Sequence, residues 1–560
     1  MIPIILKIKL HSIRDSILQL FSRQLDIVFQ DSSECPLLNN DPEFNMSLNL
    51  GSLLANSTRQ YGSETALIFE EERYTYNELD SAVRKFAAEL IDAGVEPGDK
   101  VGMMISNGPA FTIAYFGILY AGGVAVTLNT LLSADEVIYQ LTNCEAMAFI
   151  LHADCQESGL AGYERCESCN ILYFITDNDE DSIPTNAKGF SETLQRSDHA
   201  DVCQTMADDT AVLIYTSGTT GHPKGAELTH FNLFYNAQFI AERLFSNWPK
   251  EINVVQPGFV GFGGLPLYHI FGQTVIQNAM LMGGGTATYL KRFTTADAVR
   301  VIERDKVTMF PGVPTMYFAI LHDEACKDAD LSSIRFCVSG GAPMPVEVKR
   351  QFEEKFNVRI QEAYGLTETS PLATNQLLDE TKKIGTVGKP IAGTDLKIVD
   401  DQDQEMPRGE RGEVIMRGHH IMKGYYKNPE ATATALRGGW FHSGDIGYID
   451  EEGDLFIVDR TKDMIIRGGY NVYPREVEEV LYTHPAVMEA AVIGIPHEMY
   501  GEEVKAFVSL KPRQEATAEE IIAFCKQHIA AYKYPRHLEI RDSLPKGPTG
   551  KLLKRVLREA

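Results

Sequence analysis

The chain has 560 residues, of which 44% are hydrophobic and 23% are charged, and its formal net charge is −25 at pH 7. This length exceeds what one hydrophobic core usually organises, so it predicts a large globular body and at least one further domain. The negative charge argues against nucleic acid as a partner, because a polyanion would be repelled. Nine scattered cysteines do not form a disulfide framework, which indicates a reducing, cytoplasmic location.

The first 28 residues interleave aliphatic side chains with lysine and arginine. This pattern is typical of a basic amphipathic helix at a membrane surface, and it lacks the cleavage site of a secretory signal. Met46 stands just before the first regular globular segment, so the alternative is an extended or misassigned start. Residues 1–45 are therefore interpreted as an N-terminal extension, and a peripheral contact with the inner membrane surface stays open.

From residue 63 onward, strand-like runs alternate with amphipathic helices. Residues 66–69 read as a strand, and the capping-box pair Thr75 and Glu78 begins a helix that Gly94 ends. The alternation predicts α/β sheets whose strand ends carry ligand sites. Further strands are predicted at 101–105, 211–215, 307–310, 334–338 and 358–361.

Near residue 460 the pattern changes to a shorter α/β segment. It predicts helices at 474–482 and 517–528, the second capped by Thr517 and Glu520, and strands at 487–493 and 504–510. Residues 400–412 read as an exposed turn between two strands. The predicted fold class is therefore α/β: a large N-terminal body of α/β sheets over 46–459 and a small mobile α+β C-terminal domain over 460–560.

One cluster of metal-binding residue types needs a separate interpretation. His152, Cys155, Cys166 and Cys169 have the spacing H-x2-C-x10-C-x2-C, and these are ligand types that bind zinc. A single C-x2-C pair without a second such pair favours buried structural cysteines instead. The sequence leaves this choice open and disfavours the metal.

A glycine-rich segment follows the apolar strand at 211–214. Its three glycines allow a ligand to approach the backbone, its hydroxyls donate hydrogen bonds and Lys224 adds positive charge, which together suit phosphate binding. The Walker spacing is absent, so this is not a P-loop. The segment reads Tyr215-Thr-Ser-Gly-Thr-Thr-Gly-His-Pro-Lys-Gly225.

Further motifs follow in a fixed order, and together they resemble the acyl-adenylate-forming (AMP-binding) superfamily over residues 50–560. They are Leu265-Pro-Leu-Tyr-His-Ile-Phe271, Ser339-Gly-Gly-Ala-Pro343, Tyr364-Gly-Leu-Thr-Glu-Thr369, Trp440-Phe-His-Ser-Gly-Asp445, Val458-Asp-Arg-Thr-Lys-Asp463, Arg467-Gly-Gly-Tyr-Asn-Val-Tyr-Pro474 and Pro545-Lys-Gly-Pro-Thr-Gly-Lys551. The resemblance is strongest to bacterial long-chain-fatty-acid–CoA ligases. It implies ATP, Mg²⁺ and CoA as cofactors, acyl-AMP as the intermediate, and AMP and pyrophosphate as products.

The resemblance also implies roles for individual residues. Lys551 matches the lysine that reaches the α-phosphate and the acyl carboxylate, Glu368 binds Mg²⁺ with the help of Thr216, and His269 gates the acyl pocket. Gly468 and Gly469 line a tunnel for the pantetheine thiol, with Lys462 at the hinge. Tyr364 stacks on adenine, and Asp445 and Arg460 hold the ribose, although the family usually has threonine at Ser443. The remaining nucleotide contacts are Ser217, Gly218, Thr219, Thr220, Gly221, Lys224, Gly340, Gly341, Ala342, Gly365 and Thr367.

The acid itself is the least determined part of the prediction. The acyl pocket wall is expected to include Phe262, Gly263, Gly312, Val313 and Gly340, whose glycines leave volume for a medium- or long-chain fatty acid. An aryl acid such as a cinnamate is the alternative substrate, and a carrier-protein pantetheine is the alternative acceptor. A luciferase-type oxidation and a non-catalytic sensor of acyl-AMP are less favoured. A homodimer is compatible with the sequence.

Overall fold

The computed structural model describes residues 47–177, 182–216, 223–246, 259–376, 383–547 and 550–559. Within these ranges the chain forms four β-sheets, three of them in the large N-terminal part. The amphipathic helix predicted near the N-terminus lies outside the described residues. Of the helices that are described, none has the length and apolar character needed to cross a membrane.

The first sheet has eight strands within the described ranges, and its central strands run parallel. The strand Ala148–His152 is buried along its whole length, as its uninterrupted apolar run requires when both faces of a parallel sheet are covered. In order across the sheet, the strands are Gly424–Tyr425, Lys224–Thr229, Thr210–Thr216, Val124–Thr127, Lys100–Met104, Ala148–His152, Ile171–Ile175 and Lys188–Gly189.

The second sheet has nine strands within the described ranges, and parallel pairing again dominates its centre. The strands predicted at 307–310, 334–338 and 358–361 lie here side by side, so the loops after them meet at one edge. In order, the strands are Lys389–Pro390, Leu372–Asn375, Ile360–Gly365, Phe336–Ser339, Met309–Gly312, Val260–Gly263, Thr286–Tyr289, Thr65–Phe69 and Glu72–Thr75.

The third and fourth sheets are mainly antiparallel and follow in the chain. The turn predicted at 400–412 connects the first two strands of the third sheet, as expected. The third sheet contains Thr394–Val399, Gly412–Gly418, Phe441–Ile449 and Leu455–Arg460. The fourth sheet contains Tyr470–Val472, Ile465–Arg467, Gly501–Leu510, Val487–His497 and His537–Ile540.

Helices cover the sheets, and those of at least six residues have the following bounds: Ser52–Tyr61, Tyr76–Asp92, Pro109–Tyr120, Ala134–Cys144, Gln156–Tyr163, His230–Ser246, Thr295–Asp305, Pro314–His322, Val346–Phe356, Pro429–Ala435, Pro474–Tyr482, Ala518–His528 and Lys554–Glu559. Two four-residue helices lie at Phe190–Thr193 and Ala279–Met282, the second directly after a π-helix at Gly272–Asn278.

These sheets and helices confirm the predicted fold class, a large α/β body followed by a smaller C-terminal domain. Residues Ser47–Ala560 form one compact unit. The small domain has its own apolar core around Val477, Val492, Val508 and Ile521. The domain limits at 46, 459 and 460 remain predictions, since the strand Leu455–Arg460 pairs with the third sheet up to its last residue.

The predicted helix start at Thr75 provides a test of local stability. The Thr75 hydroxyl accepts a hydrogen bond from the Glu78 backbone amide, and the Glu78 carboxylate accepts one from the Thr75 amide. We expect Thr75→Ala to lower stability by about 0.5–2 kcal/mol, because this cap is lost. The thermal unfolding midpoint checks it. Thr434→Ala is the control, since its hydroxyl bonds only to a carbonyl in its own helix; an equal shift in both variants would contradict the prediction.

Candidate active site

One large cavity, with a volume of about 830 Å³, lies where the edges of the first three sheets approach the C-terminal domain. Strand ends and the loops that follow them form much of its wall, as expected for parallel sheets. Twelve of the predicted site residues line it: Thr216, Lys224, His269, Gly340, Gly341, Tyr364, Gly365, Thr367, Glu368, Arg460, Lys462 and Lys551. Residues 300 positions apart in the chain therefore share one site.

Lys551 enters this cavity on a tight loop of the C-terminal domain. Backbone hydrogen bonds close the loop, since Gly547 donates to the Lys551 carbonyl over 2.8 Å and Gly550 donates to the Gly547 carbonyl over 2.9 Å. Gly550 has φ of +76°, which favours glycine, and a Cβ atom there would overlap the Thr315 hydroxyl of the large body. The loop is therefore packed directly against the body.

The surroundings of Lys551 weaken its hold on a proton. Its side chain retains solvent access through the open cavity, yet protein atoms surround it. This desolvation, together with the nearby positive charges of Arg460 and Lys462, lowers the pKa of the ammonium group to about 8. An anion that entered the cavity would relieve the repulsion, so the site is prepared for negative charge.

His269 lies in the same cavity and is held neutral. Burial and the charge of Lys551 lower the pKa of the imidazole to about 4. The His269 Nδ1 atom accepts a hydrogen bond from the Phe271 amide over 3.2 Å. In the neutral ring the proton is then on Nε2, so His269 can donate one hydrogen bond to a ligand oxygen.

Asp445, Arg460 and Tyr364 form a hydrogen-bonded group at the third sheet. Asp445 and Arg460 are paired residues of neighbouring strands, with Arg460 Nε 3.1 Å from one carboxylate oxygen. The Tyr364 hydroxyl donates to the other oxygen over 2.7 Å. Ser443 accepts a hydrogen bond from the Asp445 amide and donates to the Val414 carbonyl, so the serine provides the hydroxyl expected at this position. Asp445 is thereby fixed beside the cavity.

Glu368 and Thr216 lie near a residue that the sequence interpretation missed, Tyr425. The Tyr425 hydroxyl donates to Glu368 Oε1 over 2.8 Å, and the Lys224 Nζ atom lies 5.4 Å from the centre of the Tyr425 ring. Tyr425 pairs with Ala226 across neighbouring strands, which places it next to the glycine-rich segment. Only this long-range strand pairing identifies Tyr425, so no local sequence signal was available.

Several predicted site residues are not among the residues that line the cavity. Ala342 follows the lining glycines of its loop, and Asp445 contacts the cavity through Tyr364 and Arg460. Gly468 and Gly469 form the turn between the strands Ile465–Arg467 and Tyr470–Val472, away from the lining. The predicted contacts Ser217, Gly218, Thr219, Thr220 and Gly221 lie outside the described residues.

The apolar part of the cavity, here called the acyl arm, is lined by Phe271, Val275, Met309, Phe336 and Val338. The predicted pocket wall was only partly right. Val313 and Gly340 line the cavity, whereas Phe262, Gly263 and Gly312 do not. Phe262 stacks on Phe310 with ring centres 4.7 Å apart, Gly263 packs against Tyr289, and Gly312 packs against Tyr317. Apolar side chains, rather than glycines, therefore define the arm.

The zinc interpretation of the cysteine cluster was wrong for the described residues. Cys155, Cys166 and Cys169 are buried members of an apolar core and do not form a convergent ligand group with His152. His152 instead lies near Asp154 and Asp177, and Lys291 pairs with both carboxylates at 2.8 and 2.6 Å. The lysine ammonium supplies the positive charge that this acidic group requires.

Comparisons with known proteins agree with this arrangement. The model of the AMP-binding enzyme family matches residues 54–426, and the model of the AMP-binding enzyme C-terminal domain matches residues 476–551. A long-chain-fatty-acid–CoA ligase of Bacillus subtilis is 36% identical over 91% of this chain and 94% of its own length. A feruloyl-CoA synthase of an Amycolatopsis species is 34% identical over 91% of this chain and 98% of its own.

Solved structures show the same likeness. The anthranilate CoA ligase AuaEII in complex with anthranoyl-AMP superposes with a TM-score of 0.85 at 28% identity, over 92% of this chain and 98% of that one. ATP-bound MatB from Rhodopseudomonas palustris superposes with a TM-score of 0.83 at 29% identity, over 92% of this chain and 99% of that one.

Proposed function

Since the chain belongs to the AMP-binding enzyme family, we propose that it is an AMP-forming acid–thiol ligase that activates a medium- or long-chain fatty acid. It uses ATP to form acyl-AMP with release of pyrophosphate, and it then transfers the acyl group to CoA. The observation that carries the proposal is the single cavity that joins Lys551, His269, Glu368 and Arg460 to an apolar arm. Phosphate chemistry and an alkyl chain thus meet in one place.

The first half-reaction joins two anions, and the site compensates their repulsion. A carboxylate oxygen of the acid forms a bond to the α-phosphorus while the bond to pyrophosphate breaks. Lys551 and Arg460 supply positive charge to the oxygens on which negative charge develops. His269 donates its Nε2 proton in a hydrogen bond that orients the carboxylate, and its lowered pKa prevents a competing ion pair.

The donor set of Glu368 and Thr216 fits Mg²⁺, which prefers oxygen ligands and keeps phosphates as further ligands. Both side chains line the cavity, and Tyr425 donates to one carboxylate oxygen of Glu368. Bound Mg²⁺ would neutralise phosphate charge and orient the leaving pyrophosphate. Tyr425 acts by holding the carboxylate in place.

The second half-reaction requires a thiol in place of Lys551. The thiolate of CoA attacks the acyl carbonyl carbon, and AMP leaves with the bonding electrons. We propose that rotation about Lys462 withdraws the lysine loop and brings Gly468 and Gly469 to the cavity. The contacts that rotation must break include Arg411 with Glu476 over 2.9 Å and the Val346 amide with Glu479 over 3.5 Å. Few polar contacts therefore oppose the movement.

The acid class is tested by a chain-length series. We expect pyrophosphate release with saturated fatty acids of 8 to 18 carbons to be stimulated strongly by CoA and to reach its optimum at 12 carbons or more, because the acyl arm is apolar. Cinnamic and ferulic acid serve as the aryl comparison. A higher kcat/KM for either aryl acid would favour the aryl-CoA ligase. Acyl-AMP accumulation that is indifferent to CoA would favour loading of a carrier protein.

The lowered pKa of Lys551 predicts a pH dependence. The ammonium form is present below about pH 8 and is lost above it, so acyl-AMP formation should fall as pH rises. We expect kcat/KM for the first half-reaction to fall about tenfold per unit above that pH, since kcat/KM reports the free enzyme. Rates without CoA between pH 6.5 and 9.5 measure it. In Lys551→Arg the charge persists, so any remaining activity should lack this decline; an unchanged decline would contradict the assignment.

A further inference from the structure

Two amide side chains interrupt the apolar lining of the cavity. Gln361 and Asn375 line it together with the residues of the acyl arm. Both lie on the second sheet, on the strands Ile360–Gly365 and Leu372–Asn375. A binding surface for an unsubstituted alkyl chain has no use for an amide, so these two residues need an explanation.

Strand register fixes where the amides lie along the arm. Gln361 is paired with Val338 of the neighbouring parallel strand, and Asn375 is paired with Ala363 of the antiparallel one. Gln361 and Ala363 are two residues apart and so share one face of the sheet. At about 3.3 Å per residue, Gln361 lies roughly 7 Å further along the strand than Ala363, away from Gly365.

Neither amide has a partner in the protein. Among the described residues, the side chains of Gln361 and Asn375 make no hydrogen bond, although Gln361 is 8% exposed. The neighbouring Gln376 provides the contrast, because its amide bonds to the Glu362 amide and to the carbonyls of Lys383 and Thr386. An alkyl chain that displaced water from Gln361 would leave its donors and acceptor unsatisfied.

We propose that the acyl arm takes a fatty acid with a hydroxyl or oxo group in mid-chain, and that Gln361 and Asn375 bind this oxygen. The proposal rests on the proposed function and narrows its substrate class. An extended chain advances about 1.3 Å per carbon, given C–C bonds of about 1.5 Å, so the oxygen is about five carbons beyond the level of Ala363. A site that bonds a substrate hydroxyl discriminates against the analogue without it, since its own polar groups are then unpaired.

The test compares hexadecanoic acid with its monohydroxy isomers at carbons 7 to 10, using kcat/KM for pyrophosphate release with CoA. In the unmodified protein, at least one isomer should match or exceed hexadecanoic acid. In Gln361→Leu, the ratio of that isomer to hexadecanoic acid should fall tenfold or more, with hexadecanoic acid retained or improved. Gln351→Leu is the matched control, because Gln351 lies on the helix Val346–Phe356 and bonds to Glu347.

Two results would overturn the proposal: a ratio that changes less than twofold in Gln361→Leu, or rejection of every isomer by the unmodified protein. The pair of cinnamic and 4-hydroxycinnamic acid separates a phenolic oxygen from an alkyl one. An effect of Gln361→Leu confined to that pair would also overturn the assignment to a fatty acid. If the unmodified protein activates no fatty acid at all, the proposed function fails, which is a distinct outcome.

Discussion

Replacement of Lys551 by alanine is expected to lower the rate of acyl-AMP formation by on the order of 10²–10³-fold, the usual effect of removing one group that stabilises transition-state charge. The Lys551 side chain lines the cavity beside Arg460 and close enough to His269 to lower the pKa of that imidazole. Thioester formation from synthetic acyl-AMP and CoA should proceed at nearly the unmodified rate, because the lysine is withdrawn in that step. Pyrophosphate release measures the first reaction and acyl-CoA formation the second.

The control for this experiment is Lys526→Ala, which removes an exposed lysine in the last turn of the helix Ala518–His528. Both half-reactions should be unaffected. If Lys551→Ala slows the two half-reactions equally, its role is structural and the catalytic assignment fails. If acyl-AMP forms at the unmodified rate, another group supplies the charge.

The second large effect is expected for Glu368→Gln, which keeps the size of the side chain and removes its charge. We expect acyl-AMP formation to fall by on the order of 10²-fold at fixed Mg²⁺, because a neutral amide is a poorer ligand for this ion. Raising the Mg²⁺ concentration should recover part of the loss. A Mg²⁺ titration of pyrophosphate release therefore measures the effect directly.

Tyr425→Phe is the informative companion variant, since it removes the hydroxyl that donates to Glu368 and leaves the carboxylate present. Its loss should be smaller, about tenfold or less, because a residue that acts through Glu368 affects only the position of that carboxylate. An unchanged Mg²⁺ dependence in Glu368→Gln would contradict the assignment of a metal ligand. A greater loss in Tyr425→Phe than in Glu368→Gln would point to Tyr425 as the group that contacts substrate.

The sequence predicted those parts of the molecule whose determinants are local. The capping boxes at Thr75 and Thr517 define helix starts that the structure confirms, and the helix 474–482 has the predicted bounds. Periodicity alone places such elements, because burial of one helix face requires it. The lining residues Lys551, Glu368 and His269 were found through ordered motifs, and their catalytic roles remain predictions.

Features that depend on distant pairing were missed or misplaced. Tyr425 reaches Glu368 only because the strand Gly424–Tyr425 pairs with Lys224–Thr229, about 200 residues earlier in the chain. Phe262 was expected at the pocket, yet its side chain faces the interior and stacks on Phe310. Which face of a fully buried strand meets a cavity cannot be read from an uninterrupted apolar run, since both faces are apolar.

The contact between Gly550 and Thr315 has a consequence for how the two half-reactions could be separated genetically. Because the loop fits only without a Cβ atom at position 550, its entry into the cleft depends on steric clearance at one point and not on any charged group. A methyl group there would exclude the loop while every ionisable side chain stayed intact. The chain thus contains a position where the order of events could be interrupted without altering its chemistry.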